Sequence, residues 1–182
     1  MMPSMFHSIA PCLLMALPDT VMLLAMHQEE SAMGFILNRQ TKLSFHELMP
    51  DLKIEPKIQD RRVLWGGPVS KNSGFLLYEH APNRALDQGL FITETLSISP
   101  SKKLLEKAAL GELKGRFDLI LGYVAFGPGK LEQDLNKGTY LHSAFYEEIA
   151  LKIPLSERFE HAFGQLGLSP IAFMNVVGGA QA

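Results

Sequence analysis

The chain has 182 residues, 47% of them hydrophobic and 20% charged, with a formal net charge of −2 at neutral pH. That is the size and make-up of one globular domain, expected here over residues 1–182, which can bury its own core without staples. The mild charge supplies no global positive field for nucleic acid or an anionic membrane. The lone cysteine, Cys12, excludes an intrachain disulfide and any need for an oxidising compartment.

At the N-terminus no Lys or Arg precedes Arg39, so the basic flank of an export signal is missing. Pro11, Pro18 and Asp19 break the apolar stretch well short of the ~20 residues of a membrane span. The expectation is a cytoplasmic protein with no membrane partner. Cys12–Leu17 and Val21–His27 are apolar runs of strand length separated by Pro18-Asp19-Thr20. Within the first, Cys12 reads as a small core hydrophobe, the ordinary fate of a free thiol. After a polar turn at Glu29–Ser31, Met33–Leu37 reads as a third strand. Ser44-Phe45-His46-Glu47 spells a capping box for a short helix ending at Pro50. Asp51–Arg62 mixes charge with proline and reads as an exposed loop. There Lys53, Lys57, Arg61 and Arg62 alternate with Asp51, Glu55 and Asp60, as on a solvated surface.

Val63–Trp65 and Gly74–Tyr78 read as strands on either side of the corner Gly66-Gly67-Pro68-Val69. Pro82–Gly89 is loop-like and Leu90–Ile98 fits a bent hairpin. Ser99 and Pro100 suggest the start of a helix with Leu104, Leu105, Ala108 and Ala109 on one face, ended by Gly111 or Gly115. Phe117–Phe126 is the most strand-like run and is expected at the centre of the sheet. A short amphipathic helix carrying Leu131 and Leu135 follows Gly129. The last helix, Glu157–Leu166, groups Phe159, Ala162, Phe163 and Leu166 and closes at Gly167. Strands and helices mix without regular alternation, which argues for an α+β fold.

The stretch Gly122–Glu132 invites a test for phosphate chemistry. Lys130 follows Gly129 as in a P-loop, but Val124 stands where the first glycine is required and Leu131 where the magnesium-binding hydroxyl is required. The dinucleotide fingerprint fails at Glu132, which occupies its third glycine position. Two weaker readings stay open. Amides near Gly129 and the Lys130 ammonium could hold a small anion, or the turn is a sharp strand-to-helix corner that needs glycine's freedom. Gly66-Gly67-Pro68 is a similar corner, with Trp65 beside it as a packing anchor. No two histidines have helical ligand spacing, and no serine sits in a nucleophile elbow. The pairs Glu29/Glu30 and Glu147/Glu148 read as solvated faces. No metal, cofactor or catalytic residue is therefore assigned. A helix-turn-helix-like stretch runs from Arg158 to Val177, but its would-be recognition segment, Pro170–Val177, contains no Arg or Lys. There is no strong nucleic-acid signal.

Three motifs together carry a resemblance. Met33-Gly-Phe-Ile-Leu-Asn-Arg39, then Gly66-Gly-Pro-Val69 with Gly74-Phe-Leu-Leu77, then Gly122-Tyr followed by Gly127-Pro-Gly-Lys-Leu-Glu132 occur in the order seen in the AlgH/YqgE family of bacterial proteins. The chain resembles that family over most of its length. The resemblance implies a single α+β domain whose bifurcated mixed sheet includes a small closed barrel surrounded by helices. It implies a cytosolic bacterial protein and no named reaction. One branch of the family is linked by name to transcriptional control of exopolysaccharide (alginate) synthesis. The recurring positions carry over to Asn38, Arg39, Gly66, Gly67, Pro68, Gly127, Gly129 and Glu132, to which the anion reading adds Lys130. The chain departs from the pattern in its short Pro18–Thr20 connection and in Gln40, Phe126 and Phe159.

The expected function is non-enzymatic binding of a protein or small-molecule partner in a regulatory role, with homo-oligomerisation open. Asn38 and Arg39 are the expected ligand contacts, since a guanidinium fork suits carboxylate or phosphate; a surface ion pair is the competing fate of Arg39. Direct DNA contact by a transcriptional regulator, and a hydrolase or transferase with a spatially assembled site, are the alternatives.

Overall fold

Apolar residues run unbroken through the first two strands because both of their faces are covered. In the computed structural model, which describes residues 8–85 and 88–167, β1 (Cys12–Ala16) and β2 (Thr20–His27) form an antiparallel hairpin. Leu13, Met15, Val21 and Leu23 enter one core cluster, and Cys12, Leu14, Met22 and Leu24 enter another. Successive side chains of a strand point to opposite faces, so a continuous apolar run serves two cores at once. Burial pushes the Cys12 thiol up to about 12, which leaves it inert.

The sheet continues with β3 (Ala32–Ile36), β4 (Gln40–Ser44), β5 (Arg62–Trp65), β6 (Val69–Glu79), β7 (Leu90–Thr93), β8 (Leu96–Ser99), β9 (Phe117–Phe126) and β10 (Leu141–Ala144). Its main path runs β10-β1-β2-β3-β9-β6-β8-β7, and a branch carries β5 on β9 and β4 on β5. Among the described residues, the pairings are antiparallel except β5 with β9, which is parallel. β9 is the shared strand. Ile120 and Leu121 pair with β5, Val124–Phe126 pair with β3, and β6 runs along the other edge. The fold is α+β, a bifurcated mixed sheet curled into a half barrel, with four α-helices around it among the described residues.

At the branch point three glycines let two backbones touch. Gly66 N–H donates to the Leu121 carbonyl at 2.7 Å, and Ile36 N–H donates to the Gly66 carbonyl at 2.9 Å. A Cβ on Gly66 would lie 2.3 Å from the Gly122 oxygen, and one on Gly67 would lie 2.3 Å from the Tyr123 backbone. No side chain fits such a gap.

Among the described residues four α-helices cover the sheet. α1 (Phe45–Leu48) and α2 (Lys102–Ala109) lie over a core of Phe45, Met49, Val63, Leu105 and Phe117. In α3 (Lys130–Asn136), Leu131 packs with Ile36 and Phe126. α4 (Arg158–Gln165) places Phe159, Ala162 and Phe163 in the largest cluster. The capping box of α1 forms as expected, with Glu47 N–H donating to Ser44 Oγ and Ser44 N–H donating to Glu47 Oε2 at 2.7 Å. α2 starts later than expected. Ser99 belongs to β8, and Ser101 is the cap, accepting from Leu104 N–H at 3.2 Å. The strand β4 has no apolar signal in the sequence, because Gln40–Ser44 is polar and mostly solvent-facing. β10 is a four-residue edge strand added to β1, with too short a pattern to stand out. No described helix is long and apolar enough to cross a membrane.

Candidate functional site

The motif positions are structural neighbours only in part. Asn38 and Arg39 follow β3 and brace the turn between β1 and β2. Asn38 Nδ2 donates to the Asp19 carbonyl at 2.5 Å, and Asn38 Oδ1 accepts from Val21 N–H at 3.2 Å. The Arg39 guanidinium closes on the Asp19 carboxylate at 2.7 Å. Gly66 and Gly67 are wedged at the sheet branch, with Pro68 exposed beside them. A Cβ added at Gly127 or Gly129 would meet nothing within 4 Å among the described residues, and Gly129, at φ +71°, is the N-cap of α3. Lys130 pairs with Asp134 one turn on at 2.8 Å. Glu132 reaches back to buried His27. Because Ile9 N–H donates to His27 Nδ1, the ring hydrogen sits on Nε2 and is donated to Glu132 Oε1 at 2.6 Å. Each polar member thus already serves the fold, by anchoring a turn or a helix. The helix-turn-helix-like segment Pro170–Val177 lies outside the described residues.

A cleft of about 740 Å³ opens elsewhere, between the ends of β6, β7 and β8 and the helix α2 with its exit at Glu112–Gly115. None of the motif positions lines it. Strand register builds its wall. Ser97 of β8 stands between Tyr78 of β6 and Phe91 of β7, so all three share one face. Ser97 is fully buried there, while Phe91 is 51% exposed. His80 sits over this row. Its Nδ1–H donates to the Ala81 carbonyl at 2.9 Å, so Nε2 is the acceptor and takes the Ser97 hydroxyl hydrogen at 2.7 Å. The ring is further held by Tyr78 and Phe91, with centroids at 5.4 and 5.8 Å. Across the cleft, α2 contributes Leu104 and Lys107 and its exit contributes Lys114. Both lysines are exposed and make no ion pair among the described residues, whereas Glu79 on the same rim is taken by Arg116. An aromatic wall faces free ammonium groups.

A second polar constellation corrects the reading of Arg61 and Arg62 as solvated loop residues. Both turn inward toward Asp118, an aspartate on β9 that is 1% exposed. Arg158, at the start of α4, meets the same carboxylate from within and is fully buried. Its Nη1 donates to the Leu37 carbonyl at 2.6 Å and its Nε to the Ile153 carbonyl at 2.8 Å. Burial lowers the Arg158 guanidinium to about 10, with Asp118 opposing and Arg62 adding to the shift, so it remains a cation at neutral pH. The sequence signal for this cluster was present. An aspartate inside the most apolar strand, and an arginine beside Phe159 on the buried face of a helix, are the residue types that enter a core only with partners. His80, Ser97 and Phe91 carried no such signal, because only strand pairing brings them together.

Comparison with known proteins places this architecture. The solution structure of the AlgH protein from Pseudomonas aeruginosa superposes with a TM-score of 0.77 at 28% identity, covering 90% of this chain and 93% of that one. A crystal structure of a protein from Corynebacterium diphtheriae shares the fold, with a TM-score of 0.68 at 18% identity over 88% of each chain. UPF0301 proteins of Burkholderia mallei and Burkholderia pseudomallei are each 36% identical over 154 residues, covering 82% of this chain and 80% of theirs. The AlgH-like family model matches residues 16–171, and the chain belongs to that family.

Proposed function

We propose that this is a cytosolic, non-enzymatic protein that binds a small planar, anionic molecule in the cleft between β6–β8 and α2, and that the bound state serves a regulatory role. The observation that carries this reading is the half-exposed Phe91, backed by His80 and Tyr78 and opposed by the unpaired Lys107 and Lys114. A flat ring would lie against Phe91 while its anionic group met the lysines. The volume of about 740 Å³ is in the range of small-molecule sites. The test is ligand-observed NMR with adenosine monophosphate and a panel of aromatic carboxylates. Binding is expected to wild type and to be lost in Phe91→Ala and in Lys107→Glu/Lys114→Glu, all of which keep their folded spectra. If no member of the panel binds, or if the variants bind as well as wild type, the cleft is not the site.

A hydrolytic reading has one observation in its favour, the hydroxyl-to-imidazole bond from Ser97 to His80. Ser97 is fully buried, however, so its hydroxyl orients the imidazole and does not face the cleft. Labelling by a fluorophosphonate is the direct check. A covalent adduct on Ser97 would replace the binding reading with an enzymatic one; an unlabelled native protein keeps it.

A further inference from the structure

Asp118 is surrounded by more positive charge than it can neutralise. Its carboxylate faces Arg61 Nη2 at 3.4 Å, Arg62 Nη2 at 3.6 Å and Arg158 Nη2 at 3.9 Å. None of these arginines has another carboxylate within reach among the described residues. The distances are also loose. Arg158 Nη2, Arg61 Nε, Arg62 Nε and Asp118 Oδ2 are buried and have no hydrogen-bond partner among the described residues. Three unfilled donors and one unfilled acceptor thus belong to one cluster, and Arg158, which carries one of the donors, is fully buried. The cluster reaches solvent through Arg61 and Arg62, whose side chains are 33% and 34% exposed.

We propose that this cluster binds hydrogen phosphate or a phosphoryl group, entering between Arg61 and Arg62. The chemistry selects the ligand. Guanidinium forks match the oxygens of a tetrahedral oxyanion, and the surplus of cations supplies the charge complement. Asp118 Oδ2, held by Arg62 and Arg158 only at ion-pair distances of 3.6 and 3.9 Å, has a lone pair left to accept a hydrogen bond, which a protonated phosphate oxygen can donate. Sulfate carries no proton at neutral pH and would meet that carboxylate as a bare like charge. The arrangement therefore discriminates phosphate from sulfate, which a simple patch of surface arginines would not. The site is separate from the cleft and does not depend on the ligand proposed for it.

The experiment is thermal unfolding and calorimetric titration of the full chain with inorganic phosphate, against sulfate at matched ionic strength. Phosphate at about 10 mM is expected to raise Tm by about 3 °C more than sulfate does, with one phosphate bound per chain. Arg62→Gln and Arg61→Gln, made at partly exposed positions, are each expected to weaken phosphate binding by about tenfold or more. Equal shifts from phosphate and sulfate, no shift from either, or undiminished phosphate binding in both variants would overturn the proposal. The comparison of the two anions on wild-type protein needs no variant, so it stands even where a substitution disturbs folding.

Discussion

Gly66-Gly67-Pro68 and Gly127-Pro128-Gly129 look alike in the sequence, each a proline-flanked glycine turn leaving an apolar strand, yet the fold treats them in opposite ways. The first is clamped between β9 and β3, with its backbone in contact with Gly122 and Tyr123. The second stands in open space, and only the positive φ of Gly129 asks for glycine. One turn is a packing requirement and the other a conformational one. The lesson is that a glycine motif has no meaning until its surroundings are known: absence of a side chain serves close approach in one place and a left-handed backbone in another.

Substitutions can break or sharpen this contrast. Gly66→Ala is expected to have the largest effect, about 3 kcal/mol of lost stability, because backbone opposes backbone and neither can yield as a side chain would. Chemical denaturation measures it. Cys12 offers a second readout, since a thiol pushed up to about 12 reacts at about pH 8 only when β1 opens; faster labelling is expected in the variant. Gly129→Ala should cost about 1 kcal/mol, the strain of a left-handed residue with free space around it. Lys130→Ala removes a one-turn ion pair whose lysine is 54% exposed, and about 0.5 kcal/mol is expected, shrinking as salt is added. Gly127→Ala should be smallest, within about 0.5 kcal/mol of wild type in either direction, since its φ is not positive and nothing lies near it. If Gly66→Ala proved as mild as Gly127→Ala, the branch point would not be the crowded crossing described.

How much was legible follows the range of the interactions involved. The strands at Val21–His27 and Phe117–Phe126, the capping box at Ser44 and the final helix were readable because apolar period and caps are local signals. The cap of α2 lies two residues beyond the expected Ser99 because Ser99 and Ser101 are both of capping type, and the pairing of Ser99 in β8 decides between them. The motif residues Arg39, Lys130 and Glu132 could be singled out, but not their partners Asp19, Asp134 and His27 in space. The candidate cleft was not legible at all. Tyr78, His80, Phe91 and Ser97 have no shared spacing, and they meet only when β6, β7 and β8 align.

The sequence by itself determined the α+β class, most of the elements and membership of the AlgH-like family, since each rests on neighbours along the chain or on motif order. Tertiary structure alone decided that Arg61 and Arg62 turn inward to Asp118, that one glycine corner is a crossing of strands and the other an open cap, and where a cleft forms. Those outcomes depend on charge pairing, strand register and close approach between residues far apart in the chain, and no local pattern encodes which distant partner will be met.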